Sequence, residues 1–146
     1  VLDAILRAVG GAQRSIRFMV FSFTVDPIAQ TILQRAANGV TVQGIFETVG
    51  SETQFSELRP LYCAGLDARQ DGNPYRLHHK VFIIDDETIF TGSFNVSANA
   101  VESNDENLLI ITDRALAAQY IAEFDRPQIT AGFATAAGQK RVCLRV

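Results

Sequence analysis

Five polar side chains crowd the middle of this 146-residue chain at spacings that suit phosphate chemistry: His78, Lys80, Ser93, Asn95 and Glu106. His78 and His79 are its two histidines, side by side in the stretch RLHHKVFIIDDETIFTGSFN (76–95). In an extended strand, residues two apart share a face, so His78 and Lys80 point one way and His79 the other. The same alternation gives Ser93 and Asn95 a common face. Gly92, with no Cβ, lets a backbone approach a ligand closely. A lysine, a serine and an asparagine grouped together make a cradle for phosphate oxygens. An imidazole beside such a cradle can serve as a nucleophile toward phosphorus or as a general acid and base. A carboxylate such as Glu106 on the far ring nitrogen would fix the tautomer and support positive charge.

Plainer readings carry different weight at different positions. For His78 and Lys80 the alternative is a partly buried strand pair without chemistry, and the surrounding polar set argues against it. For His79 a packing or hydrogen-bonding role is expected. A zinc site built from His78, His79 and Asp85 is not expected, because adjacent strand residues diverge and no cysteine or third histidine is near. Asp85-Asp86-Glu87 reads as a solvated turn. Tyr75 reads as half-buried packing before it reads as a stacking face. Arg76 stands close enough to the cluster to touch a substrate.

These groups need a sheet to hold them, and the chain supplies one. Leu2, Ile5, Leu6 and Val9 fall at helical spacing, and Gly10-Gly11 weakens the helix after them. SIRFMVFSF (15–23) is almost continuously apolar, as expected of a strand covered on both faces. Asp26-Pro27 reads as an N-cap followed by proline at the first helical position. Ile28, Ile32, Leu33 and Ala36 form the apolar stripe of that helix, and Asn38-Gly39 ends it. VTVQGIF (40–46) is a second strand, so the unit is β-α-β with parallel strands. Phe55, Leu58 and Leu61 predict a further helix with Pro60 as a kink or boundary.

LDARQ (66–70) is a short strand or loop, and Gly72-Asn73-Pro74 a turn. The runs at 77–85 and 87–93 are strand-like, with Asp85-Asp86 as a tight connection. NLLIIT (107–112) reads as another buried strand, and Asp113 caps a last helix carrying Leu116, Tyr120, Ile121 and Phe124. The expected class is α/β, a mixed sheet with helices on both faces. Residues 1–126 are expected to form the catalytic domain and 127–146 an irregular tail.

Composition bounds the rest. The 47% hydrophobic and 20% charged residues describe an ordinary globular chain with a real core. No apolar run is long enough to span a bilayer. The net charge of −3 means that any nucleic acid would have to be met by a local basic cleft. Cys63 and Cys143 lack metal-ligand spacing; Cys63 is expected in the core, and a disulfide has no support in the sequence. Val1 in place of methionine fits a processed form or an excised fragment, and the compartment is not readable.

The stretch HHKVFIID followed by GSFN resembles the H-x-K-x-x-x-x-D and G-S-x-N motifs of the phospholipase D superfamily. His78, Lys80 and Asp85 match the H, K and D; Gly92, Ser93 and Asn95 match the G, S and N; Glu106 matches the downstream acid. FMVFSFT (18–24) is similar to the family's first core strand, and the likeness runs from about Leu2 to Phe124. The resemblance implies a phospholipase D-like fold and phosphodiester cleavage without metal or cofactor. It implies that His78 is nucleophile or general acid, that Lys80 and Asn95 hold non-bridging oxygens, that Ser93 assists, and that Glu106 orients His78. Asp85 has odd parity relative to His78 and is expected to set the motif structurally.

The family builds each active site from two motifs and this chain has one. A homodimer is the favoured resolution, and pairing with a missing second half the other. The compact size and lone motif resemble the family's small nucleases, which makes a non-specific endonuclease acting on DNA or RNA the first functional expectation. A phospholipase D or cardiolipin-type lipid hydrolase is the alternative, lowered by the lack of a basic amphipathic helix. A non-catalytic nucleic-acid-binding module is the third, disfavoured because a binder has no need of the nucleophile. Specificity is expected from loops such as 47–55 and 96–105.

Overall fold

The computed structural model describes residues 1–126 and Cys143. A six-stranded mixed sheet runs in the order β3-β2-β1-β4-β5-β6, with β1 Ser15–Val20, β2 Thr41–Phe46, β3 Asp67–Gln70, β4 Lys80–Ile84, β5 Thr88–Gly92 and β6 Leu108–Thr112. The first three strands are parallel, and β4 runs antiparallel to β1, as does each strand after it to its neighbour. The helices are α1 Leu2–Gly10, α2 Asp26–Ala37, α3 Thr48–Ser51, α4 Leu58–Cys63, α5 Ala98–Glu102 and α6 Arg114–Phe124.

Strand alternation sorts the apolar residues into two layers. Phe18, Val20, Phe82, Ile84 and Phe90 join Ile5 and Val9 of α1, Ile28 and Ile32 of α2 and Leu61 of α4. Met19, Val81, Ile83 and Ile89 join Ala117 and Phe124 of α6 on the other face. The α/β class with helices on both faces is therefore as expected. Phe18 is the centre of the larger layer, edge-on to Phe23 and Phe46 and stacked on Phe82 with centroids 5.3 Å apart. Gly44 faces it from β2; a Cβ there would lie 2.0 Å from the Phe18 ring.

Several boundaries differ from the sequence expectations for physical reasons. The first strand stops at Val20, because residues 22–24 leave the ladder to bond with Val96: Thr24 N donates to Val96 O (2.7 Å) and Val96 N to Ser22 O (3.2 Å). Helix α2 begins at Asp26 itself, with Val25 as N-cap and no side-chain cap. Pro60 sits in the first turn of α4, where its missing N–H costs nothing, and Phe55 lies outside that helix, 69% exposed. The predicted buried strand at 107–112 is the edge strand β6, with Leu109 and Ile110 exposed. Among the described residues no strand pairs with its outer side. Cys63 is an exposed residue rather than a core one, and it forms a disulfide with Cys143. The expected irregular tail otherwise lies outside the described residues.

The Asp26 carboxylate has a different partner. Glu57, 6% exposed, meets it in a carboxyl–carboxylate hydrogen bond. Burial, then that bond and the Asp26 charge, push the Glu57 carboxyl up to about 8. A proton on Glu57 therefore stabilises the fold fully below about pH 4.5, and this contribution is lost as the pH rises toward 8. Glu57→Gln should flatten that slope and leave the protein more stable than wild type at pH 9 by on the order of 2 kcal/mol, read by denaturant titration.

Candidate active site

All but one of the predicted site residues meet at one end of the sheet. Lys80 opens β4 opposite Val20, and Phe21 N bonds to His79 O (2.9 Å), so His78 and His79 lie just before the strand but in extended continuation of it. β5 arrives antiparallel and ends at Gly92 beside Lys80, and β6 starts opposite it at Leu108. The result is an open cleft of about 610 Å³ lined by His78, Lys80, Gly92, Ser93, Asn95 and Asn107.

The predicted division of the histidine pair holds. Lys80 Nζ stands 3.4 Å from both ring nitrogens of His78 and donates to His78 O (3.1 Å). His79 turns to the opposite face, where its Nε2 lies 3.7 Å from Glu123 Oε1 of α6. Burial holds the His79 imidazole below its usual value, opposed by the carboxylates of Glu123 and Asp71. Burial also pushes the Lys80 ammonium down, opposed by the Glu106 charge.

Phe21 is a site residue that sequence reasoning read merely as strand. Its ring lies 4.9 Å from that of His78, tilted by 58°, and Lys80 Nζ sits 5.3 Å over it. The phenyl thus packs against both side chains. A strand-terminal aromatic in FMVFSFT was the available signal, hidden by the apolar residues around it.

Ser93 is clasped from β6. Its N–H donates to Asn107 Oδ1 (2.9 Å), and its hydroxyl accepts from Asn107 N (3.1 Å) and donates to Glu106. Asn107 was not expected in the site; as the first residue of NLLIIT, directly before an apolar run, it reads as a strand start. Glu106 also accepts from Asn104 Nδ2 (3.1 Å). These two hydrogen bonds, Ser93 first, and then the Lys80 charge hold the Glu106 carboxyl below its ordinary range. Among the described residues no hydrogen bond or ion pair joins Glu106 to His78 within the chain; the Glu106 hydrogen bonds go to Ser93 and Asn104. Its carboxylate positions Ser93.

Gly92 explains how close the two segments come. Its φ is 153°, and a Cβ would lie 2.3 Å from Asn107 O. Gly92→Ala should push β6 away and open the Ser93–Asn107 clasp, lowering turnover by roughly 100-fold and stability by about 2 kcal/mol, seen as parallel losses in initial rate and melting temperature. Asn95 reaches the cleft because residues 22–24 hold Val96, and its Oδ1 is buried with no hydrogen-bond partner among the described residues.

Asp85 is the predicted residue that the fold does not bring to the cleft. It stands at the opposite end of β4, where Asp85 and Asp86 take left-handed conformations (φ 54° and 61°) in the tight turn to β5. Its carboxylate accepts from Gln13 N (2.9 Å), Arg14 N (2.6 Å) and Ser15 N (2.9 Å). Burial opposes its ionisation, but the Ser15, Gln13 and Arg14 N–H groups and the Arg14 charge outweigh it and hold the carboxyl low. Asp85 fixes the β4–β5 hairpin to the start of β1, as its parity in the motif suggests.

The sequence and the fold are similar to those of other proteins. A model of the "Cardiolipin synthase, PLD-like domain" family matches residues 5–127. The mitochondrial cardiolipin hydrolase of Chlamydomonas reinhardtii is 34% identical over 125 residues, covering 86% of this chain and 56% of that protein. A phospholipase D of Rickettsia conorii is 33% identical over 117 residues, covering 80% and 58%. The chain thus spans a little over half the length of these relatives. Among solved structures, the phospholipase D family member Nuc of Salmonella typhimurium superposes with a TM-score of 0.81 at 30% identity, covering 84% of this chain and 83% of that one. NucT from Helicobacter pylori gives 0.73 at 27% identity, covering 84% of each. With His78, Lys80, Ser93 and Asn95 gathered in one cleft and this likeness over most of its length, the chain belongs to the phospholipase D superfamily.

Proposed function

We propose that the protein is a metal-independent phosphodiesterase acting on nucleic acid, an endonuclease of little sequence preference. The observation that carries this is the placement of His78 against Lys80 in an open cleft whose other walls are Ser93, Asn95 and Asn107. A diester phosphate seated there meets an ammonium and an amide with its non-bridging oxygens. The His78 nitrogen attacks phosphorus, the P–N bond forms, and the P–O bond to the leaving group breaks in line. A second motif histidine gives its proton to that leaving oxygen, then removes one from the water that hydrolyses the phosphohistidine. His79 is directed away from the cleft toward Glu123, so the second histidine comes from another motif.

A second copy of the chain is the proposed source. The outer strand β6 leaves Leu109 56% and Ile110 47% exposed, directly after Glu106 and Asn107. An edge that no described strand pairs with, carrying exposed branched side chains beside the cleft, suits a two-fold contact that brings two clefts together. The structural likeness to Nuc and NucT supports nucleic acid. The relatives named cardiolipin hydrolase and phospholipase D favour a phospholipid as the second reading.

Parallel assays on plasmid DNA, single-stranded DNA, RNA and phosphatidyl lipid vesicles decide between them, with light scattering on the same sample. Cleavage of nucleic acid by a dimer is expected. Turnover of lipid alone would favour the second reading, and full activity in a strict monomer would contradict the shared site.

A further inference from the structure

Next to the cleft lies a second cavity of about 540 Å³ to which no role has been given. It opens between the two loops expected to set specificity: Gly50, Thr53 and Phe55 come from the first, Ser97 and Asn99 from the second. Phe21 lines this cavity while its ring also contacts His78, and Asn95 lines both spaces. A group bonded to a phosphate held at His78 and Lys80 therefore passes Asn95 and enters this cavity directly.

The lining states what that group should be. None of the residues around the cavity is charged, so it does not follow a phosphate backbone. No leucine, isoleucine or valine lines it, so it offers no aliphatic wall to an acyl chain. It offers two phenyl rings, Phe21 and Phe55, among the hydroxyls and amides of Thr53, Ser97 and Asn99. Phe55 is 69% exposed, so its ring is open to a flat partner. A base stacks on such a ring whatever its identity, while neutral donors and acceptors meet its edge or its sugar. The loop is built to come this near: Glu47 accepts from Gly50 N, and a Cβ on Gly50 would lie 2.3 Å from Phe21 O.

We propose that this cavity is a nucleoside subsite adjoining the scissile phosphate, with Phe55 as its stacking platform. This rests on the nucleic-acid reading of the catalytic cleft. It makes Phe55 a specificity residue for polynucleotides over other diesters without making it selective among bases.

The test uses end-labelled oligothymidylate and the same oligonucleotide carrying one abasic residue at successive positions. Phe55→Ala should lower kcat/KM on the intact strand by roughly 5- to 100-fold. Wild type should lose a similar factor when the abasic residue adjoins the cleaved phosphate, whereas F55A should lose nothing further. Phe55→Tyr should retain activity and Phe55→Leu should not. An F55A enzyme as fast as wild type on intact strand, or one that suffers the full abasic penalty, overturns the subsite while leaving the nuclease reading intact. If wild type cuts no nucleic acid at all, both fall together.

Discussion

His78→Ala is expected to lower phosphodiester cleavage by on the order of 10⁴-fold or more, because in the proposed reaction it removes the atom that bonds to phosphorus. The loss should appear in kcat, with substrate binding retained, since Lys80, Ser93 and Asn95 remain in the cleft. His78 is an exposed residue, so the variant should melt with the wild type. His79→Ala gives the contrast. That ring is half-buried against α6, so its removal should cost about 1 kcal/mol of stability and little turnover. Equal loss of activity in both variants would contradict the separation of the pair by strand parity. Initial rates and thermal melts on the two proteins side by side are the required measurements.

Asp85→Ala should do the reverse. Three backbone N–H groups at 13–15 lose their acceptor, and an alanine is left in a left-handed turn position. Water replaces part of the lost bonding at this partly exposed site, so the expected cost is roughly 2–3 kcal/mol of folding stability. Activity per folded molecule should stay within a few-fold of wild type, because the carboxylate lies at the far end of β4 from His78. The pH dependence is a second signature. The Asp85 carboxyl titrates lower in the folded protein than in the unfolded chain, so its contribution is present above about pH 4 and is lost on acidification through the lower folded value. Asp85→Asn should flatten that acid limb. An Asp85→Ala protein with wild-type stability and no activity would instead place the residue in the chemistry.

Much of this was legible in the chain because local and long-range signals agreed. The β-α-β unit followed from two β-prone runs around an amphipathic helix, and the β4–β5 hairpin from paired aspartates between apolar runs. Parity separated His78 from His79, whereas Asp85, counted among the site residues with a structural role, lies at the far end of β4. What was not legible depends on neighbours that a single chain does not print. LLIIT is apolar enough for a core, yet it forms the sheet edge, since strand order is set by pairing and not by hydropathy. Cys63 and Cys143 meet across 80 positions, a closure without any local pattern. Phe21 and Asn107 join the site through the departure of residues 22–24 from the sheet and the clasp of Ser93, both tertiary events. Glu106 was paired with the imidazole by chemical type, whereas its hydrogen bonds go to Ser93 and Asn104.

The central claim is that His78 attacks phosphorus in a reaction that uses no metal. The direct measurement is cleavage of plasmid DNA by chelator-treated wild type in EDTA, with His78→Ala alongside. Wild type should nick and linearise the plasmid at the same rate with and without EDTA, and the variant should leave it supercoiled. Loss of wild-type activity in EDTA, or undiminished cutting by His78→Ala, would contradict the account.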